Sequence, residues 1–149
     1  MHKLYYRWIF VMITQWILST LVEAAPQREP NFPPASLIEM TADKHRSCVD
    51  ETGVSEDSIA RFNGPEIFDD DERLKCYMDC MFRRFNVTDP DGEVNMIEVY
   101  HAIPKQLNSV ALKVSNVCRD SVEGSTLCER AFSHHKCWKQ ADPIHYYLF

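Results

Sequence analysis

Six cysteines constrain the fold of this chain more than any other feature. They are separated by 27, 3, 37, 9 and 8 residues and stand at Cys48, Cys76, Cys80, Cys118, Cys128 and Cys137. An even number of cysteines in a short exported chain is typical of disulfides, and not of a metal site or reactive thiols. Three disulfides are therefore expected, provided that the chain is exported.

The N-terminal residues have the features of a secretory signal peptide. Lys3 and Arg7 precede an apolar stretch from Trp8 to Val22, and small or modest side chains lead up to Ala24. A membrane-spanning helix needs about 20 apolar residues, and this stretch is shorter and interrupted. We expect a signal peptide of residues 1–24, cleavage after Ala24, one secreted domain of residues 25–149, and no stable membrane insertion.

Composition and motifs exclude several classes of function. Removal of residues 1–24 takes away two basic residues and one acidic residue, which changes the formal net charge from −6 to −7. An acidic surface disfavours nucleic acid and anionic membranes as partners. The chain has no GxSxG, HExxH or glycine-rich phosphate loop, so neither an enzyme activity nor a cofactor is expected. Cys128, His134, His135 and Cys137 lack the paired CxxC units typical of zinc sites, so no metal is expected.

Hydrophobic periodicity predicts an all-α protein. Strand-like alternation is scarce, and turn residues in 50–54, 87–93 and 123–125 separate helical segments. Leu37, Ile38 and Thr41 share one face of the first helix. The predicted helices span about residues 33–48, 55–63, 69–84, 95–103, 105–118 and 126–138.

Helical geometry restricts how the cysteines pair. Cys76 and Cys80 lie one turn apart on the third helix with nearly parallel side chains, a poor geometry for a mutual disulfide. Cys128 and Cys137 lie on opposite sides of the last helix, so they should join it to two different neighbours. Six cysteines allow about 15 pairings, and these two restrictions do not select one of them.

The spacing C-x27-C-x3-C-x37-C-x9-C-x8-C resembles that of the six-cysteine insect odorant-binding proteins, the pheromone-binding and general odorant-binding proteins. The segments 53–57, 74–80, 126–132 and 136–149 also resemble the antennal proteins of flies and mosquitoes. The resemblance implies a six-helix disulfide-stapled bundle around an apolar ligand pocket, with a C-terminal tail as a lid. It also implies the pairs Cys48–Cys80, Cys76–Cys128 and Cys118–Cys137.

The function that the resemblance implies is that of an extracellular carrier. Such a protein binds a small hydrophobic odorant or pheromone, transports it through the sensillum lymph to olfactory receptors, and releases it in response to pH. A homodimer and contact with an olfactory receptor complex are further partners that the resemblance leaves open. Two alternatives remain: a secreted helical signalling or inhibitory protein with a solid interior, and a carrier of a lipid that is not an odour.

The expected pocket has two apolar walls on the fourth and fifth helices. Residues of both walls match pocket-lining positions of the mosquito relatives, although an apolar helix face also serves ordinary core packing. Tyrosine, histidine and tryptophan would bring a polar group to an apolar site. The ligand-binding residues that we expect are Met96, Val99, Tyr100, Ile103, Ala111, Leu112, Val114, His135, Trp138, Tyr146 and Tyr147.

The C-terminal tail has an unusual composition. Residues 144–149, Ile-His-Tyr-Tyr-Leu-Phe, are too few for another helix, and they would form an adhesive patch if exposed. Many chain ends fray, but the relatives imply that this tail folds over the pocket. We expect His45 and Tyr77 to hold the Phe149 carboxylate as a pH latch, because histidine changes its charge near pH ~6.5. The direction of the pH response is left open.

A glycosylation pattern, Asn86-Val87-Thr88, lies in the loop expected between the third and fourth helices. The pattern is short and common. By itself, the sequence narrowly favours an unmodified Asn86.

Overall fold

The computed structural model describes residues 28–149 except positions 69 and 121, and the expected signal peptide lies outside them. The all-α class is confirmed: the only β structure in the described ranges is a single bridge between Thr88 and Val94. None of the described helices is long and apolar enough to cross a membrane. The helices are α1 (Ala35–Thr52), α2 (Glu56–Phe62), α3 (Glu72–Arg84), α4 (Met96–Ala102), α5 (Asn108–Cys118) and α6 (Leu127–Ala141), with a short 3₁₀ turn at Lys105–Leu107.

Side-chain caps explain where four of these helices begin. The side chains of Ser55, Asp71 and Asn95 each accept a hydrogen bond from a main-chain N–H in the first turn that follows. Thr126 does the same for Glu129, whose carboxylate accepts in return from the Thr126 N–H, which forms a capping box. These caps satisfy N–H groups that have no partner inside the helix. The starts expected near residues 55, 95 and 126 are thereby confirmed.

The end of α1 and its buried face both differ from the sequence-based expectation. α1 continues through residues 49–52 and ends at Gly53, whose φ of 66° lies in the left-handed region that glycine adopts easily. Ile38 was expected to share the buried face of Leu37 and Thr41, but it is 50% exposed. Thr41 lies just over one turn after Leu37, about 40° away around the helix, whereas Ile38 is rotated by about 100° from Leu37. α1 therefore buries the narrow face that carries Leu37 and Thr41 and leaves Ile38 outside it.

α3 and α6 pack against each other along their length and form the centre of the bundle. α1 covers another side of α3, and α5 packs on α6. The disulfides follow this arrangement: Cys48–Cys80 joins α1 to α3, Cys76–Cys128 joins α3 to α6, and Cys118–Cys137 joins α5 to α6. This is the pairing that the resemblance implies. Since Cys128 and Cys137 are both in disulfides, neither thiolate is free to bind zinc.

A cluster of aromatic rings closes one end of the core around Phe62, the last residue of α2. The Phe62 ring is fully buried and lies 5.7 Å from the Phe68 ring, 5.8 Å from the Phe132 ring and 6.1 Å from the Tyr146 ring. Lys139 Nζ donates a hydrogen bond of 2.6 Å to the carbonyl oxygen of Phe62. Desolvation by burial lowers the pKa of Lys139. These contacts attach the end of α2 to α6. The ring of Tyr146, in the tail, packs against the same cluster.

Candidate ligand cavity and its C-terminal lid

An apolar cavity of about 200 Å³ lies inside the bundle. Every helix except α2 contributes to its wall, together with the tail. The lining residues are Phe32, Leu37, Met40, Thr41, Met81, Phe82, Phe85, Val87, Met96, Val99, Ala102, Ile103, Leu107, Val110, Ala111, Val114, His135, Trp138, Asp142, His145, Tyr146, Tyr147, Leu148 and Phe149. Apolar cavities of about 150 Å³ stay dry and can bind a molecule such as benzene, so this space suits a small hydrophobic molecule.

Nine of the eleven residues expected to bind ligand lie on this wall. They come from three helices, the segment after α4, and the tail, and the structure brings them together around one space. The nine are Met96, Val99, Ile103, Ala111, Val114, His135, Trp138, Tyr146 and Tyr147.

The structure corrects the expectation for Leu112 and Tyr100, because neither lies on the wall. Leu112 is 54% exposed, whereas Ala111 and Val114 on the same helix are buried. The α5 residues on the wall, Val110, Ala111 and Val114, span about 100° of the helix, and Leu112 is rotated by about another 100° beyond Ala111, outside that face. The Tyr100 ring packs edge-on against the ring of His101, with centroids 5.5 Å apart.

α1 and α3 provide a further wall that the sequence does not predict. Leu37 and Met40 contribute from α1, and Met81 and Phe82 contribute from α3, with Phe85 directly after its last residue. The signal was present, because Met81 and Phe85 are one turn apart and Phe82 lies beside them on the same face. α3 had been interpreted only as the helix that carries two cysteines.

His135 is a buried polar group on this mostly apolar wall. Its Nδ1 atom lies 2.8 Å from the hydroxyl oxygen of Tyr146. Burial, reinforced by the neighbouring His134, lowers the pKa of His135 to about 3, so the ring is neutral at neutral pH. The Tyr146 hydroxyl has no other acceptor among the described residues, so we assign it as the donor to Nδ1. The ring proton of His135 then sits on Nε2.

Two N–H groups of the wall residues have no partner in the part of the chain that the structure describes. They are Nε2 of His135, under this assignment, and the indole Nε1 of Trp138. The rings of His135 and Trp138 are close, with centroids 5.5 Å apart. An unpaired buried donor costs about 1–3 kcal/mol, so an acceptor atom on a bound molecule could recover this free energy.

The tail residues Tyr146–Phe149 form no regular secondary structure, and the side chain of Asn63 attaches them. Asn63 Oδ1 accepts from the Leu148 N–H at 2.8 Å, and Asn63 Nδ2 donates to the Leu148 carbonyl at 2.6 Å. Arg28 adds a hydrogen bond of 3.1 Å from Nε to the Tyr146 carbonyl. Leu148 is only 2% exposed, so the tail covers the cavity instead of fraying.

The expected latch is present in part. The Tyr77 hydroxyl donates a hydrogen bond to the main-chain oxygen of Phe149. His45 does not contact Phe149; its Nδ1 lies 2.7 Å from the Tyr77 hydroxyl and its Nε2 lies 3.1 Å from a carboxylate oxygen of Glu56. The correction is therefore that His45 reaches the tail only through Tyr77, which lies between the imidazole and Phe149.

Hydrogen-bond directions determine the charge state that suits this latch. The single Tyr77 proton is donated to Phe149, so His45 Nδ1 must donate to the Tyr77 oxygen. Glu56 is an acceptor when ionised, so His45 Nε2 must donate as well. All three hydrogen bonds form together only when both ring nitrogens of His45 carry protons.

The fold and the cavity together define a small helical binding protein, stapled by three disulfides and built around an apolar space. Comparison with known proteins makes this class specific. The sequence pattern of the PBP/GOBP family matches residues 33–141, and the chain belongs to this family. Proteins of this family are secreted odorant-binding carriers and not enzymes.

Individual relatives are distant. Odorant-binding protein 10 of Aedes aegypti is 25% identical over 95 residues, a match that covers 62% of this chain and 66% of that protein. The crystal structure of odorant-binding protein 4 of Chrysopa pallens is 25% identical with a TM-score of 0.68, covering 79% of this chain and 99% of that one. Odorant-binding protein 7 of Anopheles gambiae, solved with four disulfide bridges and an azo compound, is 23% identical with a TM-score of 0.64, covering 73% and 88%.

Proposed function

We propose that this protein is a non-catalytic extracellular carrier that encloses one small hydrophobic odorant or pheromone and transports it through the sensillum lymph to olfactory receptors. The observation that carries the proposal is the apolar cavity of about 200 Å³, which the protein's own tail covers. Enclosure removes most of a small ligand's surface from water, which stabilises the complex by about 25 cal/mol for each Å² of apolar surface. The azo compound bound to the Anopheles gambiae relative is a small organic cargo of the same general kind.

The polar groups of the wall suggest which hydrophobic molecules bind best. His135 and Trp138 each present an unpaired N–H, so a cargo with one neutral acceptor, such as a ketone, aldehyde or ester, would satisfy a donor. A carboxylate is disfavoured. Although burial raises the pKa of Asp142, hydrogen bonds from Lys113 and His145 bring it below its ordinary value, and its carboxylate is already paired with Lys113. The lining residues include no lysine or arginine that could compensate the burial of a second carboxylate. A lipid acid is therefore a poorer cargo than a neutral carbonyl compound of equal length.

Release of cargo towards acid follows from the buried histidines. Protonation of His135 would place a charge in the apolar wall and would change its hydrogen bond to Tyr146 of the lid. His134, whose pKa burial lowers to about 4, acts in the same direction. Both pKa values lie well below neutrality, so we propose that this release develops only in strongly acidic solution, near pH 3 to 4.

Competition binding tests the proposal. The disulfide-intact protein of residues 25–149 is titrated with a fluorescent apolar probe, and the probe is then displaced by a ketone, a hydrocarbon and a carboxylic acid of matched chain length. We expect one probe per protein, the tightest binding for the ketone and the weakest for the acid. A solid helical signalling or inhibitory protein would bind no probe, and a carrier of lipid acids would reverse the order.

A further inference from the structure

The turn that ends α3 holds Asn86 at the surface in one defined conformation. The N–H of Asn86 donates to the Arg83 carbonyl at 3.0 Å, and the N–H of Val87 donates to the Phe82 carbonyl at 3.2 Å. These two bonds are those of a Schellman cap, in which the residue after the helix adopts a left-handed conformation. Asn86 has a φ of 54°, which asparagine tolerates better than most residues.

At this cap, Val87 is buried and its neighbour Asn86 is exposed. Val87 is 3% exposed and lies on the cavity wall with Phe82, the hydrophobic contact that usually accompanies a Schellman cap. Asn86 is exposed, and its side-chain amide makes no hydrogen bond to any described residue. The amide nitrogen is therefore free to carry a substituent that extends into solvent without touching the cavity.

The residues that follow keep this position open. Thr88 supplies the hydroxyl that the acceptor pattern requires, and Asp89, not proline, comes after it. Asp89 Oδ1 accepts from the N–H groups of Asp91 and Glu93 at 3.0 and 2.8 Å, which folds residues 89–93 back on themselves. The loop is ordered by its own hydrogen bonds and does not cover Asn86.

We propose that Asn86 carries an N-linked glycan. Its Nδ2 atom forms a bond to the anomeric carbon of an N-acetylglucosamine on a lipid-diphosphate oligosaccharide donor. The bond from that carbon to the lipid diphosphate breaks, the diphosphate leaves with the electron pair, and the amide loses one proton to a base. The inference needs entry into the secretory pathway, which is general for this family, and it does not depend on the cargo. The structure outweighs the narrow preference of the sequence for an unmodified Asn86, because the acceptor amide is exposed and unpaired.

Secretion of the full chain from cultured insect cells tests the proposal. The intact mass of the protein in the medium is measured before and after an amidase that accepts core-fucosylated glycans. We expect one glycan mass, lost on treatment, and a peptide map with an aspartate in place of Asn86. Thr88→Ser should keep the glycan. Thr88→Ala and Asn86→Gly should both lack it, and glycine adopts the left-handed conformation of this turn without strain.

The matched control is Asn31→Gln, which alters an exposed asparagine that lacks the acceptor pattern and should leave the glycan mass unchanged. A secreted parent protein with the mass of the polypeptide alone overturns the proposal. Retention of an unmodified chain inside the cell overturns it as well. Neither result bears on binding of the apolar probe, so the carrier proposal is tested separately.

Discussion

Asn63→Ala should loosen the lid without unfolding the bundle. The substitution removes both side-chain hydrogen bonds to Leu148, at 2.8 and 2.6 Å, while the main-chain N–H of residue 63 still caps α2. A neutral hydrogen bond contributes about 0.5–1.5 kcal/mol net, so the open tail gains about 1–3 kcal/mol relative to the closed one. The opening equilibrium rises roughly 5- to 150-fold.

The closed tail is also stabilised by the burial of its own side chains, which Asn63→Ala leaves in place. Leu148 and Tyr146 are 2% and 6% exposed, and burying one large apolar side chain stabilises by about 1.5–3 kcal/mol. The tail of the variant should therefore remain mostly closed but open more often. Cargo that leaves through the lid should then dissociate faster, while the amount of probe bound at saturation stays unchanged.

Two measurements follow the opening directly. The dissociation rate of the apolar probe is measured by stopped flow with excess competitor, and hydrogen exchange of the Leu148 amide is measured by NMR. Both rates should rise by a similar factor. Asn116→Ala, which alters an exposed asparagine on α5, is the control and should change neither. If Asn63→Ala keeps the parent's helical spectrum and both rates are unchanged, the tail does not gate the cavity.

Three further perturbations test the cavity, the latch and the buried histidine. Ala111→Phe fills part of the 200 Å³ space and should weaken probe binding at least about tenfold, whereas Leu112→Phe on the exposed face should not. Tyr77→Phe removes the hydroxyl between His45 and Phe149 and should speed probe dissociation roughly fivefold, measured by stopped flow. The free energy of unfolding in urea should fall as the pH is lowered from about 6.5 to 5. In this range the histidine of the unfolded chain takes up a proton, whereas native His135, with a pKa of about 3, stays neutral. His135→Asn should remove up to about 2 kcal/mol of this change.

Each of these predictions has an outcome that contradicts it. Equal probe affinity of the two phenylalanine variants would place the cargo outside the cavity. A Tyr77→Phe protein that releases probe at the parent's rate would mean that this contact does not hold the lid. His101→Asn, on an exposed histidine, should keep the full pH dependence of stability; if His135→Asn keeps it too, the buried ring is not the group that titrates.

The helices could be predicted because their signals are local. Ser55, Asn95 and Thr126 cap helices by hydrogen bonds to residues two or three positions later, so the sequence shows both partners of each contact. The extra turn of α1 was missed because Gly53 follows residues that suit either a loop or a helix end.

The cavity was predicted only where an apolar stripe and the family resemblance coincided. Ala111 and Val114 were placed correctly on one face of α5, but Leu112 was added to that face although helical rotation turns it outward. The α3 wall was overlooked because Met81, Phe82 and Phe85 resemble an ordinary core stripe. An apolar face has the same sequence pattern whether it meets another helix or an empty space.

The sequence by itself determined the helical segments, the presence of six cysteines and an apolar tail that needs cover. Tertiary structure alone decided what holds that tail. Asn63 lies 85 residues before Leu148, and Arg28 lies 118 residues before Tyr146. Helix caps and helical faces depend on neighbours within about four residues, which periodicity detects. A hydrogen bond between distant segments leaves no such pattern, because it exists only after α3 and α6 have packed and brought both segments to the same end of the cavity.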